Sequence, residues 1–473
     1  MIPRIVSTPF APPVNPREGT PRRVSAAVLE ATLPGPGRDR LAAGEVLVVT
    51  TGQQPGLFTG PVYTIYKALS AIALARRLEQ ERGVPVVPVF WVAGDDHDFH
   101  EANWATVLNA AGDPVRIVLR ERPTEAPALP LMREPCGPEI VTALERLRAE
   151  TPESEFKDDI LTCIQQAYPP NGHLADACAA LLQVLLGDFG LAVMRPYIPA
   201  VKREMSPWLL RALDLTLPDG LTPVLLEARQ GRDRLRRDGN GLVTRRSEER
   251  FDRAGLEQIA AETPDRLSPN VLLRPVVEAA VLPTVAYLAG PGELRYFAET
   301  APLYQALGVV PQTPVPRWSG LLVEARVDRV SGKHHLRTDD FATPPGALEA
   351  RVVREQLPAD VTEALEALRR DLSASYAQLG TGVARIDPTL ERTVESARNA
   401  ALAGTHDIEK RIVTALKRSN ETLLGQLSRA RASLYPAGVP QERALTYASM
   451  GIRYGPALLT ALHDEVARWA VAS

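Results

Sequence analysis

Two polar segments of this chain hold the residue types that can do chemistry. One of them, Gly94–Asp98, reads Gly-Asp-Asp-His-Asp and places Asp95, Asp96 and Asp98 around His97. Carboxylates crowded in this way cost electrostatic energy unless a cation, an amine or bound protons compensate them. The cluster therefore predicts a place where a positively charged group is bound or a proton is moved.

Three chemical roles are open for this cluster. A carboxylate can orient or deprotonate an amine nucleophile, and His97 can act as a general base or stabilise developing negative charge. His97 and His100 with a carboxylate can also bind a divalent metal, but we expect no metal because no further ligand set accompanies them. A capping network without chemistry is the remaining interpretation.

The other polar segment, Thr50–Gly56, precedes a helix-like stretch. It contains four candidate binding residues: Gly52, Gln53, Gln54 and Gly56. The glycines between 51 and 60 can offer backbone N–H groups to an anion at the start of the helix. Tyr63 and Lys67 lie four residues apart on one face of that helix, so we count them as candidate binding residues too.

Each polar segment follows an apolar, strand-like run, which is Val46–Val49 for the first and Val86–Val92 for the second. The stretch from about 61 to 81 between them is typical of a helix, so the three elements form a β-α-β unit. The crossover in such a unit is right-handed, which makes the strands parallel and brings both polar segments to one edge of the sheet. Because open α/β sheets bind ligands at that edge, we expect the two segments to line one site.

A second β-α pattern adds four candidate substrate-binding residues: Asn270, Arg274, Gly290 and Gly292. Arg274 is suited to bidentate recognition of a carboxylate, with a structural salt bridge as the alternative. The two glycines are only a fragment of a dinucleotide-binding fingerprint. We interpret residues 1–345 as one doubly wound, Rossmann-like α/β core that carries helical and hairpin insertions at about 120–250.

Composition argues against several classes of protein. A formal net charge of −3 gives no basic field for nucleic acid, and no apolar run reaches the ~18 residues that indicate a membrane span. The N-terminus lacks the apolar core of a secretion signal, so we expect a cytoplasmic protein. The three cysteines include no CxxC pair, and we expect them to be small buried side chains.

Residues 346–440 differ from the core in the spacing of their apolar side chains. Val361–Leu379 follows a helical period, Gly380–Gly382 is expected to break that helix, and Asp387 with the proline after it is expected to begin the next. Apolar residues then recur at a period near 3.5, which indicates a coiled coil. We predict an antiparallel coiled-coil arm that forms a dimer, after which 441–473 returns to the core. An amphipathic helix lying on the core is the alternative.

Five segments of the chain resemble the BshC family, the cysteine-adding enzymes of bacillithiol biosynthesis: Thr51–Lys67, Pro88–Glu101, Ser268–Pro275, Gly290–Glu293 and Leu434–Arg443. They follow one another in order over nearly the whole chain. The resemblance implies a Rossmann-like core and a homodimer formed through a coiled coil. It also implies a ligase that joins L-cysteine to glucosaminyl malate through an amide bond, the last step of bacillithiol biosynthesis.

Forming an amide from a carboxylate in water requires an activated acyl group, so we expect ATP, another nucleotide or another acyl activator to be consumed, and the sequence does not show which. Two other functions remain open. A metal-dependent hydrolase would use the Asp/His cluster and should bind zinc or manganese stoichiometrically. A coiled-coil adaptor whose core only senses a nucleotide would not need an acidic cluster beside the Gln-Gln segment.

Overall fold

The computed structural model describes residues 2–472, which fall into two compact units. One unit runs up to Val323 and resumes at Pro440, and the other is Glu324–Val439. The domain boundaries predicted from the sequence lie at 345 and 440. Within the described residues, no helix is both long enough and apolar enough to cross a bilayer.

The strands all belong to the first unit and are β1 (Arg4–Ser7), β2 (Leu47–Gln53), β3 (Val86–Val92), β4 (Trp104–Leu108), β5 (Pro114–Val118), β6 (Ala192–Met194), β7 (Leu221–Ala228), β8 (Gly231–Asp238), β9 (Gly241–Thr244), β10 (Arg250–Phe251), β11 (Leu267–Pro269), β12 (Thr284–Ala289), β13 (Thr313–Pro316) and β14 (Gly320–Val323). The helices before Val323 are α1 (Ala26–Ala31), α2 (Pro36–Ala43), α3 (Tyr63–Arg82), α4 (Phe99–Ala102), α5 (Glu139–Glu150), α6 (Lys157–Ala167), α7 (Leu174–Leu186), α8 (Pro199–Ala212), α9 (Arg253–Glu262), α10 (Arg274–Val281), α11 (Pro291–Phe297) and α12 (Ala301–Leu307). The second unit contains α13 (Ala325–Lys333), α14 (Ala347–Arg354), α15 (Ala359–Ala384), α16 (Leu390–Ser419) and α17 (Glu421–Leu434). The chain then completes the first unit with α18 (Gln441–Ala444), α19 (Tyr447–Tyr454) and α20 (Ala457–Ala472).

The central sheet consists of parallel strands in the order β13-β12-β2-β3-β6. From β2 the chain passes through α3 to β3 on one side, and it returns much later to place β12 on the other side of β2. The direction of winding therefore reverses between β2 and β12. Such a reversal opens a crevice at the carboxyl ends of the strands. This order confirms the doubly wound, Rossmann-like core predicted from the sequence.

Side chains of β3 alternate between two apolar cores. Val87, Val89 and Trp91 pack with residues of α1, α8 and α10, whereas Phe90 and Val92 pack with residues of α3, α7 and α20. Helices thus cover both faces of the sheet, which explains why the strand reads as an unbroken apolar run. Since each such side chain contributes roughly 1.5–3 kcal/mol when fully buried, the strand ends that carry the polar segments are firmly anchored.

A second, antiparallel sheet has the order β10-β9-β8-β7-β11. Asp238 pairs with Gly241 across the hairpin of β8 and β9, so the turn consists of two residues, and the first of them, Gly239, has a φ of +59°. A positive φ is easily adopted by glycine, which is why the Asp-Gly-Asn-Gly run forms a tight hairpin here. This sheet is the hairpin insertion expected from the sequence.

In the second unit, α15 and α16 pack against each other, and α17 follows after an interruption at Asn420. The expected helix break at Gly380–Gly382 is wrong, because α15 continues through these residues to Ala384. A glycine inside a helix costs only about 1 kcal/mol relative to alanine, and packing along α16 offsets that cost. The next helix starts at Leu390, where Asp387 accepts hydrogen bonds from the amide and hydroxyl of Thr389.

Candidate active site

A cavity of about 690 Å³ opens at the carboxyl ends of β2, β3 and β12, at the point where the winding reverses. Its wall contains most of the residues that the sequence singled out: Gly52, Gln53, Gln54, Tyr63, Lys67, Asp95, Asp96, His97, Asn270, Arg274, Gly290 and Gly292. Gly56 and Asp98 are not part of the wall. The two β-α patterns therefore meet at one crevice, although they are far apart in the sequence.

Gly52 is required by the close approach of β2 to β3. A Cβ at this position would lie 2.8 Å from the carbonyl oxygen of Trp91, closer than real contacts allow. The Gly52 carbonyl oxygen accepts a hydrogen bond of 2.6 Å from Lys67 Nζ. The glycine thus keeps the strands paired while its carbonyl fixes the buried lysine.

The turn around Gly56 has a structural role that the sequence did not predict. A Cβ on Gly56 would lie 2.8 Å from the Cα of Gly60, so the two glycines let the backbone fold back on itself. The amide of Thr59 donates to the Tyr168 hydroxyl, and the amide of Val62 donates to the carbonyl of Leu445. These two N–H groups face protein acceptors and not the cavity, and Gly56 is not part of the wall, so Gly56, Thr59 and Val62 do not contribute to an anion cradle there.

Asp98 caps a helix and does not line the cavity. Its side chain accepts a hydrogen bond from the amide of Glu101 at the start of α4, and its carbonyl oxygen accepts one from the side-chain amide of Gln54. The His100 side chain is largely exposed and lies 3.6 Å from Glu121. For Asp98 the capping interpretation that the sequence left open matches the geometry.

Lys67 is fully buried and is held by three oxygen atoms. Besides the Gly52 carbonyl, Nζ lies 2.6 Å from Glu293 and 3.2 Å from the side-chain oxygen of Gln53. Burial lowers the pKa of Lys67, while the Glu293 carboxylate opposes that shift. For Glu293, burial acts to raise the pKa, but Lys67 and Arg274 outweigh it and the pKa is lowered. The Lys67–Glu293 pair connects β2, α3 and α11.

Arg274 is engaged by groups of the protein itself. Its guanidinium donates to Glu278 at 3.0 Å and to the hydroxyls of Tyr287 and Tyr296 at 3.1 Å each. Both terminal nitrogens thus already have acceptors, as in the structural salt bridge that the sequence allowed. Asn270 caps the same helix start, since its side-chain oxygen accepts the amides of Leu272 and Leu273.

Asp95 is compensated by a lysine that sequence reasoning missed. Lys202 of α8 is fully buried, and its Nζ lies 2.7 Å from the Asp95 carboxylate and 3.0 Å from the carbonyl oxygen of Leu267. Burial lowers the pKa of Lys202, and Asp95 opposes that shift. The cation that the crowded carboxylates require is therefore supplied, for Asp95, by the protein.

Asp96 and His97 form the part of the cluster that remains open to the cavity. The Asp96 side chain is 39% exposed; Oδ1 accepts the amide of His97 at 2.7 Å, while Oδ2 receives no hydrogen bond from the residues that the structure describes. Arg232 Nη1 lies 3.5 Å from His97 Nδ1 and 3.9 Å from Asp96. Burial, and then the charge of Arg232, lower the pKa of His97 below its ordinary value.

The contact with Arg232 bears on the protonation of His97. An arginine only donates hydrogen bonds, so a contact at Nδ1 favours a neutral imidazole with its proton on Nε2. A lowered pKa acts in the same direction. The site thus offers a free carboxylate oxygen and a neutral imidazole side by side.

Comparisons with known proteins decide the family of this chain. The model described as bacillithiol biosynthesis BshC, N-terminal Rossmann-like domain, matches residues 38–216 and 224–318, and the model of the BshC C-terminal coiled-coil domain matches residues 320–469. The chain belongs to the BshC family. This membership makes it an enzyme of the ligase class and confirms the core and coiled coil predicted from the sequence.

Two relatives illustrate how far the similarity extends, and both carry the name "Putative cysteine ligase BshC". The one from Symbiobacterium thermophilum is 31% identical, over 90% of this chain and 83% of its own length. The one from Salinibacter ruber is 35% identical, over 89% of this chain and 81% of its own length. A methionyl-tRNA synthetase from Mycobacterium tuberculosis, solved with methionyl-adenylate, aligns with a TM-score of 0.26 at 13% identity, which is too low to indicate a shared fold.

Several residues of this BshC cavity were not singled out from the sequence. They are Lys202, Arg232, Arg317, Glu442 and Arg443, which lie near the cavity or on its wall. Lys202 and Arg232 come from inserted elements, where an isolated basic residue resembles any surface charge. Arg443 was inside a segment that carried the family resemblance, and that segment was the available signal.

The cysteines of this BshC chain do not line the cavity. Cys136 and Cys178 are buried, and burial raises their pKa to about 11 and about 12 respectively. Thiols of this kind are protonated and unreactive at neutral pH. Within the described residues, no group of three His, Cys, Asp or Glu side chains is arranged to hold a metal ion.

Proposed function

We propose that this BshC chain joins L-cysteine to glucosaminyl malate through an amide bond, as the last step of bacillithiol biosynthesis. The observation that carries the proposal is the pairing of Asp96 with neutral His97 on the wall of the switch-point cavity. Amide formation needs a group that receives an amine and a group that meets the charge developing on the acyl oxygen. This pair supplies both.

Asp96 is proposed to receive the amine of glucosaminyl malate. The free oxygen Oδ2 can accept a hydrogen bond from the substrate ammonium group, take up the proton that the ammonium loses, and hold the resulting amine in position for attack. Asp95 is not suited to this role, because Lys202 already neutralises it. The division of labour within the cluster follows from which carboxylate has a protein cation beside it.

His97 is proposed to donate a hydrogen bond to the acyl oxygen. With Nδ1 facing Arg232, the proton on Nε2 is available to the negative charge that develops when the amine attacks. A neutral imidazole suits this task because it donates without attracting the substrate carboxylates beforehand.

The carboxylate of L-cysteine must be activated before an amine can displace one of its oxygens, and we propose that ATP or another nucleotide activates it by forming an acyl phosphate or acyl adenylate, whose phosphate-bearing group leaves when the amine attacks. A volume of about 690 Å³ lies within the range of pockets for drug-sized ligands and cofactors. Gly290 and Gly292 leave the rim after β12 without side chains, so a nucleotide can approach the backbone closely there. These features fit a nucleotide beside the substrates.

We also propose that the protein works in the cytoplasm as a homodimer formed through the arm, by which we mean α15, α16 and α17. The arm and the connection between α15 and α16 expose large apolar side chains that a second copy can cover: Leu379 at 51%, Ile386 at 82% and Ile408 at 49%. Nucleic acid and membranes are not expected as partners.

The test is a mass-spectrometric assay with the full chain. L-cysteine and glucosaminyl malate are incubated with ATP, with GTP, or with no nucleotide, and with or without zinc or manganese. We expect a product whose mass equals the two substrates minus water, formed only when a nucleotide is present. Absence of that product under every condition would reject the ligase proposal, and breakdown of glucosaminyl malate that depends on metal would favour the hydrolase.

A further inference from the structure

The cavity wall has more cationic side chains than the sequence indicated, and one of them has no carboxylate partner among the described residues. In the part of the chain that the structure describes, five cations of the wall lie within 4.0 Å of a carboxylate: Lys67, Arg232, Arg234, Arg274 and Arg317. The sixth, Arg443, has no carboxylate within that distance and no hydrogen bond from its guanidinium to any described residue.

Arg443 is presented to the cavity by two buried neighbours. The side chain of Gln441 bonds to both the amide and the carbonyl of Leu322, at 2.9 and 3.2 Å. The Glu442 carboxylate accepts a hydrogen bond from each terminal nitrogen of Arg317, at 2.9 and 2.6 Å. The backbone before Arg443 is therefore fixed, so a ligand that binds its exposed guanidinium has to order the side chain but not the backbone.

The charge beside Arg443 makes an anion favourable at this place. The guanidinium carbons of Arg317 and Arg443 lie 5.6 and 5.9 Å from the centre of the Tyr63 ring. Two guanidinium groups near one ring repel each other. Glu442 neutralises Arg317, whereas no described residue neutralises Arg443. An oxyanion of the substrate would neutralise Arg443 and relieve this repulsion.

We propose that Arg443 binds an oxyanion of the substrate, a carboxylate or a phosphate, at the Tyr63 end of the cavity. A planar guanidinium pairs with two oxygens of such a group at once. The inference rests on the ligase function proposed above for the identity of the substrate, in which malate offers carboxylates and the nucleotide offers phosphates. Arg274, which the sequence suggested for this role, already bonds to Glu278 and two tyrosines.

Isothermal titration calorimetry on the full chain tests this directly, with L-malate and inorganic pyrophosphate as separate probes. We expect Arg443→Ala to weaken at least one probe by about tenfold or more, the scale of a charge-assisted pair. A loss for malate alone identifies the carboxylates, and a loss for pyrophosphate alone identifies the phosphates. Unchanged affinity for both probes, or no binding of either to the unmodified chain, overturns the proposal.

The matched control is Arg148→Ala, which removes the same charge from an exposed position on α5 that does not line the cavity. It should leave both affinities unchanged. Arg443→Lys keeps the charge but loses the planar fork, so it should recover only part of the affinity. Calorimetry involves no turnover, so a tenfold loss in a protein that yields no ligase product would reject the proposed function while supporting Arg443 as the anion-binding residue.

Discussion

The α/β unit and the arm use apolar and charged side chains in opposite ways. Around the central sheet, apolar side chains are buried on both faces, and even ion pairs are nearly enclosed, with side-chain exposures of 2% for Arg317 and 8% for Glu442. In α15 and α16, by contrast, the buried apolar residues are Leu365 and Val413.

The charges of the arm are correspondingly closer to solvent. Arg369 of α15 is 35% exposed and bonds to Thr405 and Glu409 of α16, and Arg354 lies 2.9 Å from the same carboxylate. Hydrogen bonding by Arg369 lowers the pKa of Glu409. The difference teaches that the α/β unit covers its own apolar surface, whereas the arm leaves apolar side chains exposed, which the second copy proposed above would cover as a partner.

The largest expected effect concerns that partner. Ile408 and Ile412 belong to the seam predicted from the sequence, and the structure leaves Ile408 half exposed and Ile412 partly exposed. Since complete burial of an exposed isoleucine is worth roughly 1.5–3 kcal/mol and Ile408 is already about half covered, burial in a dimer would add about half of that for Ile408 and less for Ile412. We expect the double change Ile408→Asp and Ile412→Asp to give a monomer by light scattering, with the α/β unit folded. A dimer of unchanged mass would remove the arm as the interface.

The next prediction compares one ion pair from each unit. Arg317→Met leaves Glu442 buried without its partner, so we expect a loss of about 3–5 kcal/mol in the free energy of unfolding. Arg369→Met should cost under about 1 kcal/mol, since Arg354 still compensates Glu409 and water is near.

The two units can be followed separately in this comparison. All five tryptophans lie outside 324–439, so their fluorescence reports the α/β unit, while circular dichroism reports the arm as well. Adding Glu442→Leu to Arg317→Met removes both charges and should restore much of the stability. Equal losses for the two single variants would contradict the contrast between the units.

The third prediction concerns the site. Asp96→Asn and His97→Ala should each lower turnover by about 10²-fold, the usual scale for groups that act on a proton or a developing charge. Because both side chains are partly exposed, the unfolding transition should barely move. The control is Asp98→Asn, which alters a helix cap outside the cavity and should retain most of the activity. Normal turnover in the Asp96 and His97 variants would return the cluster to a purely structural role.

The sequence predicts those features that depend on local pattern. Strand runs, the glycine turns and the acidic cluster are each contained in a few consecutive residues, and the right-handed crossover then brings two of them together. Gly56 shows the limit of such patterns. A glycine can allow a sharp backbone turn, or it can expose amides to an anion, and the two cases look the same in a sequence. Only the packing against Gly60 distinguishes them.

What the sequence does not predict is pairing between distant charges. Lys202 and Asp95 are separated by more than a hundred residues, as are Arg317 and Glu442. Each of these side chains alone resembles an ordinary surface charge. Burial turns them into partners, and burial depends on the tertiary fold, so the assignment of Asp96 and not Asp95 as the open carboxylate required the structure.

The smallest expected effect separates the two roles of His97. Burial and Arg232 hold its pKa below the ordinary value, so the imidazole stays neutral as the pH falls through that value. Because the pKa of His97 is lower in the folded protein than in the unfolded chain, its contribution to the stability is present above the unfolded pKa of about 6.5. That contribution is lost as the pH falls through the folded pKa. Arg232→Gln removes one of the two main causes, and we expect the pKa of His97 to rise, as measured by NMR titration, with His97→Gln identifying the signal.

The activity of the same Arg232→Gln variant then decides between a donor and a base. If His97 only donates a hydrogen bond from Nε2, both its neutral and its protonated form can do so, and the acid limb of the kcat profile should keep its midpoint. If His97 instead accepts the proton of the amine, the neutral form is essential, and the midpoint should move to higher pH together with the NMR titration. A midpoint that follows the titration would therefore replace the donor role proposed here with that of a general base.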